Sequence, residues 1–595
     1  MKSITDSKRL FDCIEYHLER SPLEDMLAAK ENGEWVKYNT KQVATNVNDL
    51  SAGLLKLGIH CGDMAPESRP KIAVISKNRP EWLILDLAVQ RIGAVLTPIY
   101  PTININELEF ILNDAEVKLL FVNDAILFKK ASAIRDRLPF LNDIYSFDKE
   151  EGVKHWKQIL TLSTPQLLSA ASVIADKIKS EDLATIIYTS GTTGIPKGVM
   201  LSHNNILSNV MACLPCFPPG DNLRALSFLP LNHIFERMVS YVYLYKRTSI
   251  YYAESLEAVG ENLREINPQI FTTVPRMLEK VYDRIMAKGR ELTGVKRKLF
   301  FWAHDLATKF DLNKDMGTLY TIQLFIANKL IFKKWREALG NQLVCIISGG
   351  AACQARLIRI FTAAKIPIME GYGLTETSPV ISVNTFNKKQ RMIGTVGPVI
   401  DKVTVKIAGD GEILCKGPNV MMGYYKQPAL TADTFDNGWF KTGDIGMMIN
   451  EFLKITDRKK ELFKTSGGKY VAPLPIENKL KESMYVENVM VVGSNRKYTG
   501  ALIVPSFANL QEWCATKGIV YTTDAQMIRE QNVIEMYKDV VESFNKYFNQ
   551  VEQVKKFELM PHDWKIENGE MTPKLSLKRQ VIMEKYSDVI ERIYS

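Results

Sequence analysis

The chain has 595 residues, too many for one hydrophobic core, so two or more domains are expected. Its 46% apolar content is that of an ordinary globular protein, and a net charge of +9 is mild for this length. That charge suits anionic small molecules and is too diffuse for nucleic acid, and no run of about eighteen apolar residues marks a spanning helix.

In chain order, residues 1–20 are polar, with an amphipathic Leu10, Phe11, Ile14, Leu18 pattern. They lack the apolar core of a secretory signal, so no leader is expected. Residues 71–76 read as a strand. Asn78 can cap a following helix with Pro80 in its first turn, running to about Ile92, and 94–99 read as the next strand. Residues 183–188 form an apolar run feeding a loop. Residues 270–274 and 275–288 repeat strand then helix, and 343–347 is a buried strand ending in Ser348-Gly-Gly350. This alternation predicts a doubly wound α/β sheet with ligands at the carboxyl ends of its strands. Residues 394–455 read instead as a small β subdomain, where 403–407 and 412–415 pair through a type I′ turn at Asp410-Gly411. Thr456-Asp-Arg-Lys-Lys-Glu461 is a charged joint with little to bury. Beyond it, 475–483 looks helical, 488–492 and 500–504 look like strands, and 525–548 is a long, interrupted helix. The expected division is a large α/β domain over 1–457, containing the β subdomain, and a mobile small α+β domain over 458–595.

The chemistry concentrates in a few segments. Tyr188-Thr-Ser-Gly-Thr-Thr-Gly-Ile-Pro-Lys197 supplies hydroxyls, bare backbone N–H groups and an ammonium, the groups that surround a triphosphate. It is not a Walker loop, because Pro196 stands where that motif has glycine and Gly198 where it has Ser or Thr. Gly371-Tyr-Gly-Leu-Thr-Glu-Thr377 offers an aromatic face for a purine and a carboxylate of the kind Mg²⁺ accepts beside phosphate. Asp444 suits the two ribose hydroxyls of a nucleotide. The plain alternative for Arg458 is a surface ion pair with Asp457. The eight cysteines are scattered, as suits a reducing cytoplasm, and Cys213 and Cys216 form a lone CxxC with no second pair to suggest a metal.

These segments resemble, in the same order, the motifs of the adenylate-forming (AMP-binding) superfamily of acyl-CoA synthetases, adenylation domains and luciferases. The resemblance implies that Thr189, Ser190, Gly191, Thr192, Thr193, Gly194 and Lys197 hold the phosphates of ATP. It implies that Gly371, Tyr372, Gly373 and Thr375 receive adenine and phosphate, and that Glu376 holds Mg²⁺ with Thr192. Gly350 and Ala351 match the segment lining the adenine pocket, although a tight turn explains that segment as well. Asp444 matches the ribose-binding aspartate, Arg458 a second position reaching ribose or phosphate, and Lys460 the hinge of the C-terminal domain. Gly467, Gly468 and Lys469 lie near the face that admits CoA. Glu570-Met-Thr-Pro-Lys-Leu-Ser-Leu-Lys-Arg579 resembles the last motif and makes Lys578 the catalytic lysine of adenylation. Leu577 stands where many members have glycine, and Lys574, four residues away, leaves a second register open.

Phe228-Leu-Pro-Leu-Asn-His-Ile-Phe-Glu-Arg237 and Val274-Pro-Arg-Met-Leu-Glu-Lys-Val-Tyr282 resemble the long-chain fatty acid–CoA ligase branch, as does the insert from about Glu291 to Gly340. His233 would then sit near the reacting carboxyl and, later, the thiol, without being assigned as a base. The insert's helical faces can pack on the body or rest on a membrane. The expected reaction converts a long-chain fatty acid, through acyl-adenylate, to acyl-CoA with ATP, Mg²⁺ and CoA. The expected location is cytoplasmic, with peripheral contact on the inner face of a membrane and a homodimer left open. Two rivals stand: transfer of the acyl-adenylate to a carrier-protein phosphopantetheine, and a catalytically inactive nucleotide-binding membrane scaffold.

Overall fold

Short runs rich in Val, Ile and Leu, such as Lys71–Ile75 and Val95–Ile99, are buried at every residue, as strands covered on both faces must be. The computed structural model describes residues 7–20, 22–189, 196–572 and 575–595. Two eight-stranded, mostly parallel sheets dominate it. The first runs Gly423–Tyr424, Lys197–Ser202, Leu183–Thr189, Val95–Ile99, Lys71–Ile75, Val117–Val122, Asp143–Ser146, Lys154–His155. The second runs Val380–Val383, Ile368–Gly373, Cys345–Ser348, Ile270–Thr273, Arg224–Ser227, Ser249–Tyr252, Leu27–Glu31, Glu34–Tyr38. The fold is the α/β class that the alternation predicts.

Helices Pro80–Arg91 and Ile234–Tyr245 touch both sheets and are buried almost all round, which explains why neither shows a polar stripe. Their charges pair internally. Arg237 donates to Asp86 at 2.8 Å and to the Thr185 hydroxyl at 2.7 Å, and the Tyr241 hydroxyl donates to Asp86 at 2.6 Å. Both ionic side chains are fully buried, so removing either partner would strand a charge in the core. Asn78 does not cap the first of these helices. The cap position belongs to Arg79, extended because it precedes Pro80, and it makes no capping bond. The Asn78 amide instead donates to the Ser227 hydroxyl and the Leu229 carbonyl and accepts from the Leu231 N–H, strapping this helix to the 228–231 segment.

The β subdomain is a five-stranded antiparallel sheet containing Thr404–Ile407, Glu412–Lys416, Trp439–Ile449 and Phe452–Arg458. Its first hairpin does not use a type I′ turn. Within 408–411 only Gly411 has positive φ, +87°, whereas that turn needs two such residues. The charged joint also differs from expectation: Thr456, Asp457 and Arg458 end a strand, and Asp457 is fully buried, accepting from the Arg458 and Leu474 N–H groups. Burial pushes its carboxyl up to about 6.

Past the joint, Val486–Val492, Thr499–Pro505 and Val554–Leu559 form a three-stranded sheet. The 525–548 segment is two helices, Asp524–Met527 and Gln531–Asn545, and a further helix, Phe507–Lys517, precedes them. This unit meets the large one through helix Pro275–Glu291: Arg276 pairs with Glu487, Lys481 lies 3.5 Å from Glu279, and Arg290 donates to Asn509 at 3.0 Å.

Candidate active site

Strand ends of both large sheets, the β subdomain and the last motif converge on one cavity of about 1070 Å³. Strand Leu183–Thr189 delivers Thr189 to its wall, and antiparallel pairing of Thr189 with Lys197 returns the lysine to the same place. Ser190, Gly191, Thr192, Thr193 and Gly194 lie outside the described residues. Strand Ile368–Gly373 carries Gly371, Tyr372 and Gly373 to the wall, and a short turn after it places Thr375 and Glu376. Gly373 is required sterically, because a Cβ there would lie 1.7 Å from the Pro379 carbonyl oxygen.

Charged groups at the wall are held by hydrogen bonds. Lys197 Nζ donates to the Tyr424 hydroxyl at 2.8 Å, and that hydroxyl donates to Glu376 Oε1 at 2.9 Å. Lys197 and Glu376 are 3.7 Å apart, and the lysine also lies over the Tyr424 ring. Tyr424 escaped the sequence reading. It sits on the edge strand Gly423–Tyr424, whose pairing with Val199 and Met200 brings it beside Lys197. Gly423 has φ +141°, and a Cβ there would lie 2.8 Å from Thr431, so the local sequence does carry one mark of the close approach.

Asp444 accepts from the Tyr372 hydroxyl at 2.7 Å and lies 3.6 Å from Arg458. The pair is cross-strand, Asp444 facing Arg458 in the β subdomain sheet, so the ion pair of Arg458 is with Asp444 and not with Asp457. Burial raises the Asp444 carboxyl, opposed by Arg458 and the Tyr372 bond. Lys460 lines the cavity beside Lys459, whose ammonium reaches Glu412 at 2.6 Å and Asp410 at 2.7 Å. Lys578 also reaches the wall. Its loop is set by a bridge between Met571 and Leu577 and by the Lys578 N–H donating to the Glu570 carbonyl at 2.8 Å. Lys574 lies outside the described residues.

His233 lines the cavity and caps helix Ile234–Tyr245, its Nδ1 accepting from the Phe235 N–H at 3.1 Å. Gly350 is at the wall and Ala351 is not. Gly467, Gly468 and Lys469 form an exposed turn away from the cavity. The wall also carries apolar groups, among them Phe217, Phe235, Met238, Val239 and Val383, together with Cys213 and Cys216. One end of the cavity can therefore bind a polyanion while the wall retains surface for an apolar chain.

Glu376 fits Mg²⁺. It is a hard oxygen donor at the wall, and Mg²⁺ characteristically takes one or two carboxylates plus phosphate oxygens and water.

The family description "AMP-binding enzyme" matches residues 14–425, and "AMP-binding enzyme C-terminal domain" matches residues 461–595. The chain is 31% identical over 579 residues to the long-chain-fatty-acid–CoA ligase FadD15 of Mycobacterium bovis, covering 95% of this chain and 93% of that one. It is 32% identical over 598 residues to the long-chain-fatty-acid–CoA ligase 1 of Homo sapiens, covering 94% and 82%. A solved structure of the anthranilate CoA ligase AuaEII in complex with anthranoyl-AMP has the same fold, with a TM-score of 0.73 at 17% identity over 98% of this chain and 99% of that one. Between them the two matched domains account for most of the sequence, and on that ground this chain belongs to the AMP-binding enzyme family and is an adenylate-forming enzyme.

Proposed function

We propose that the chain joins a long-chain fatty acid to CoA at the expense of ATP, releasing AMP and pyrophosphate. The observation that carries this reading is the cavity in which Lys197, Glu376, Asp444 and Lys578 share a wall with the apolar side chains of Phe217, Phe235, Met238 and Val239. Near-full-length similarity to ligases named for long-chain fatty acids supports the choice of acid.

In the first half-reaction the fatty carboxylate attacks the α-phosphorus of ATP, a bond to pyrophosphate breaks, and acyl-adenylate forms. Lys197 and the hydroxyl and backbone groups of residues 189–194 hold the phosphates. Lys578 neutralises charge between the carboxylate and the α-phosphate as it builds. Asp444 accepts from the ribose hydroxyls, Tyr372 presents its ring to adenine, and Arg458 approaches ribose or phosphate. Glu376 would hold Mg²⁺, which when bound neutralises phosphate charge.

In the second half-reaction the 458–595 unit turns at Lys460 and brings the Gly467-Gly-Lys469 turn toward the cavity mouth for CoA. The thiolate then attacks the acyl carbonyl and AMP leaves, with His233 close to the reacting carbonyl. The deciding experiment is pyrophosphate release with ATP and Mg²⁺ across fatty acids of graded length, with and without CoA. Acid-dependent release that turns over only with CoA establishes the ligase. Release without a CoA thioester moves the acyl group to another acceptor, and no release with any acid leaves the scaffold reading.

A further inference from the structure

Residues 318–328 carry no charged side chain, yet the helix they form is not buried all round. Leu319, Ile322, Phe325 and Ile326 are 71%, 53%, 64% and 41% exposed, and Leu330, one turn on, is 49% exposed. Their spacing of three and four puts them on one face. The opposite face fixes how the helix is rotated. Buried Asn328 donates to the Ala363 carbonyl at 2.9 Å, while Arg336 donates to Asn328 Oδ1 at 2.9 Å and to the Ala364 carbonyl at 2.7 Å. Phe332 and Trp335 pack into the core on that side. Turning the apolar stripe inward would strip these bonds from buried polar groups, so the exposure is built in.

The same outer face continues into Lys329, Lys333 and Lys334, all exposed. Lys333 lies 3.8 Å from Glu337, whereas among the described residues Lys329 and Lys334 have no carboxylate within ion-pair distance. We propose that this face docks on a phospholipid surface bearing anionic headgroups, with Leu319, Ile322, Phe325 and Ile326 in the acyl boundary and the lysines at the headgroups. Large exposed aliphatic and aromatic groups flanked by unneutralised lysines are what such an interface receives. A second copy packed with parallel helices through this stripe would bring like-charged lysine clusters together, whereas anionic headgroups neutralise them in any orientation. Among the described residues no helix is long and apolar enough to cross a membrane, so the helix would lie in the interface plane.

The test is sedimentation of the full chain with vesicles of phosphatidylcholine alone and of phosphatidylcholine with phosphatidylglycerol in equal parts. The expected result is co-sedimentation that is stronger with phosphatidylglycerol and falls with added salt. Ile322→Glu with Phe325→Glu should abolish it. Lys329→Gln with Lys334→Gln should weaken binding to the anionic vesicles by roughly twenty-five-fold, about fivefold per lysine removed, without changing binding to the neutral ones. The apolar pair is exposed and the lysine pair is a second, independent variant, so thermal melting of each separates misfolding from lost docking. Co-sedimentation unchanged in both folded variants, or absent from both vesicle types, overturns the proposal. So does a dimer in sedimentation velocity that either variant converts to monomer, which would assign the stripe to a second copy.

Discussion

The Tyr372 hydroxyl donates to the Asp444 carboxylate at 2.7 Å, joining the residue expected under adenine to the residue expected under ribose. The bond spans two separate sheets, the second large sheet and the β subdomain, and it orients a carboxylate that burial otherwise disfavours as an anion. Asp444→Ala should therefore weaken AMP binding by about tenfold to a hundredfold, and Tyr372→Phe, which keeps the ring, by about fivefold. Calorimetric titration with AMP checks both. Unchanged affinity in Asp444→Ala removes the ribose assignment.

Tyr424 links Lys197 to Glu376 through a single hydroxyl. Tyr424→Phe keeps the ring under the lysine and removes both hydrogen bonds. The expected outcome is an adenylation rate lowered by about tenfold with little change in thermal midpoint. Full pyrophosphate exchange in this variant would mean that the phosphates set the positions of both residues without Tyr424.

Lys578 reaches the cavity from the last motif. Lys578→Ala should slow adenylation by about a hundredfold or more while sparing thioester formation from supplied acyl-adenylate. Lys574→Ala serves as the register control and should retain adenylation. Equal loss in both half-reactions of Lys578→Ala would remove it from its assigned role.

Arg276 ties the large unit to the small one through Glu487. Breaking this pair should favour departure from the arrangement that keeps Lys578 in the cavity. Arg276→Ala is expected to lower the adenylation rate on the order of fivefold, the scale of a partly exposed ion pair, without slowing thioester formation from acyl-adenylate. A uniform loss in both half-reactions would mark Arg276 as merely structural.

Glu370, one residue before Gly371, is buried and accepts from the Cys353 N–H at 2.7 Å. Burial pushes its carboxyl from 4.5 up to about 8. The folded chain therefore keeps a proton that the unfolded chain releases. The stability this supplies is complete below 4.5 and is lost as pH rises through about 8. Glu370→Gln keeps an oxygen for Cys353 and does not titrate, so its thermal midpoint should fall less than that of the parent between those two pH values. Parallel midpoint curves would show that Glu370 does not carry this dependence.

Local chemistry was legible in the sequence where the backbone itself is the device. Glycine-rich turns after apolar strands marked Thr189, Lys197, Gly371 and Glu376 as candidates for one site, all four line one cavity, and strand alternation marked the α/β class. What failed was also local in appearance. Asn78 has a cap's residue type, but the chain around Pro80 aims it at Ser227 and Leu229, positions that no local pattern reveals. Asp457 adjoins Arg458 in sequence, but neighbours along a strand point to opposite faces, so the arginine meets the residue across the ladder, Asp444.

The sequence by itself determined the motifs, their order and the fold class, because glycine placement, hydroxyl spacing and apolar periodicity act over a few residues at a time. The tertiary structure alone decided which of those residues share a wall and what joins them. Tyr424 stands 227 residues from Lys197 and reaches it only through edge-strand pairing. The outward turn of Leu319, Ile322 and Phe325 was likewise undetermined by their own helix, which is apolar on both sides. Hydrogen bonds from Asn328 and Arg336 to the neighbouring helix end set that rotation, because buried polar groups must find partners and exposed apolar ones need not.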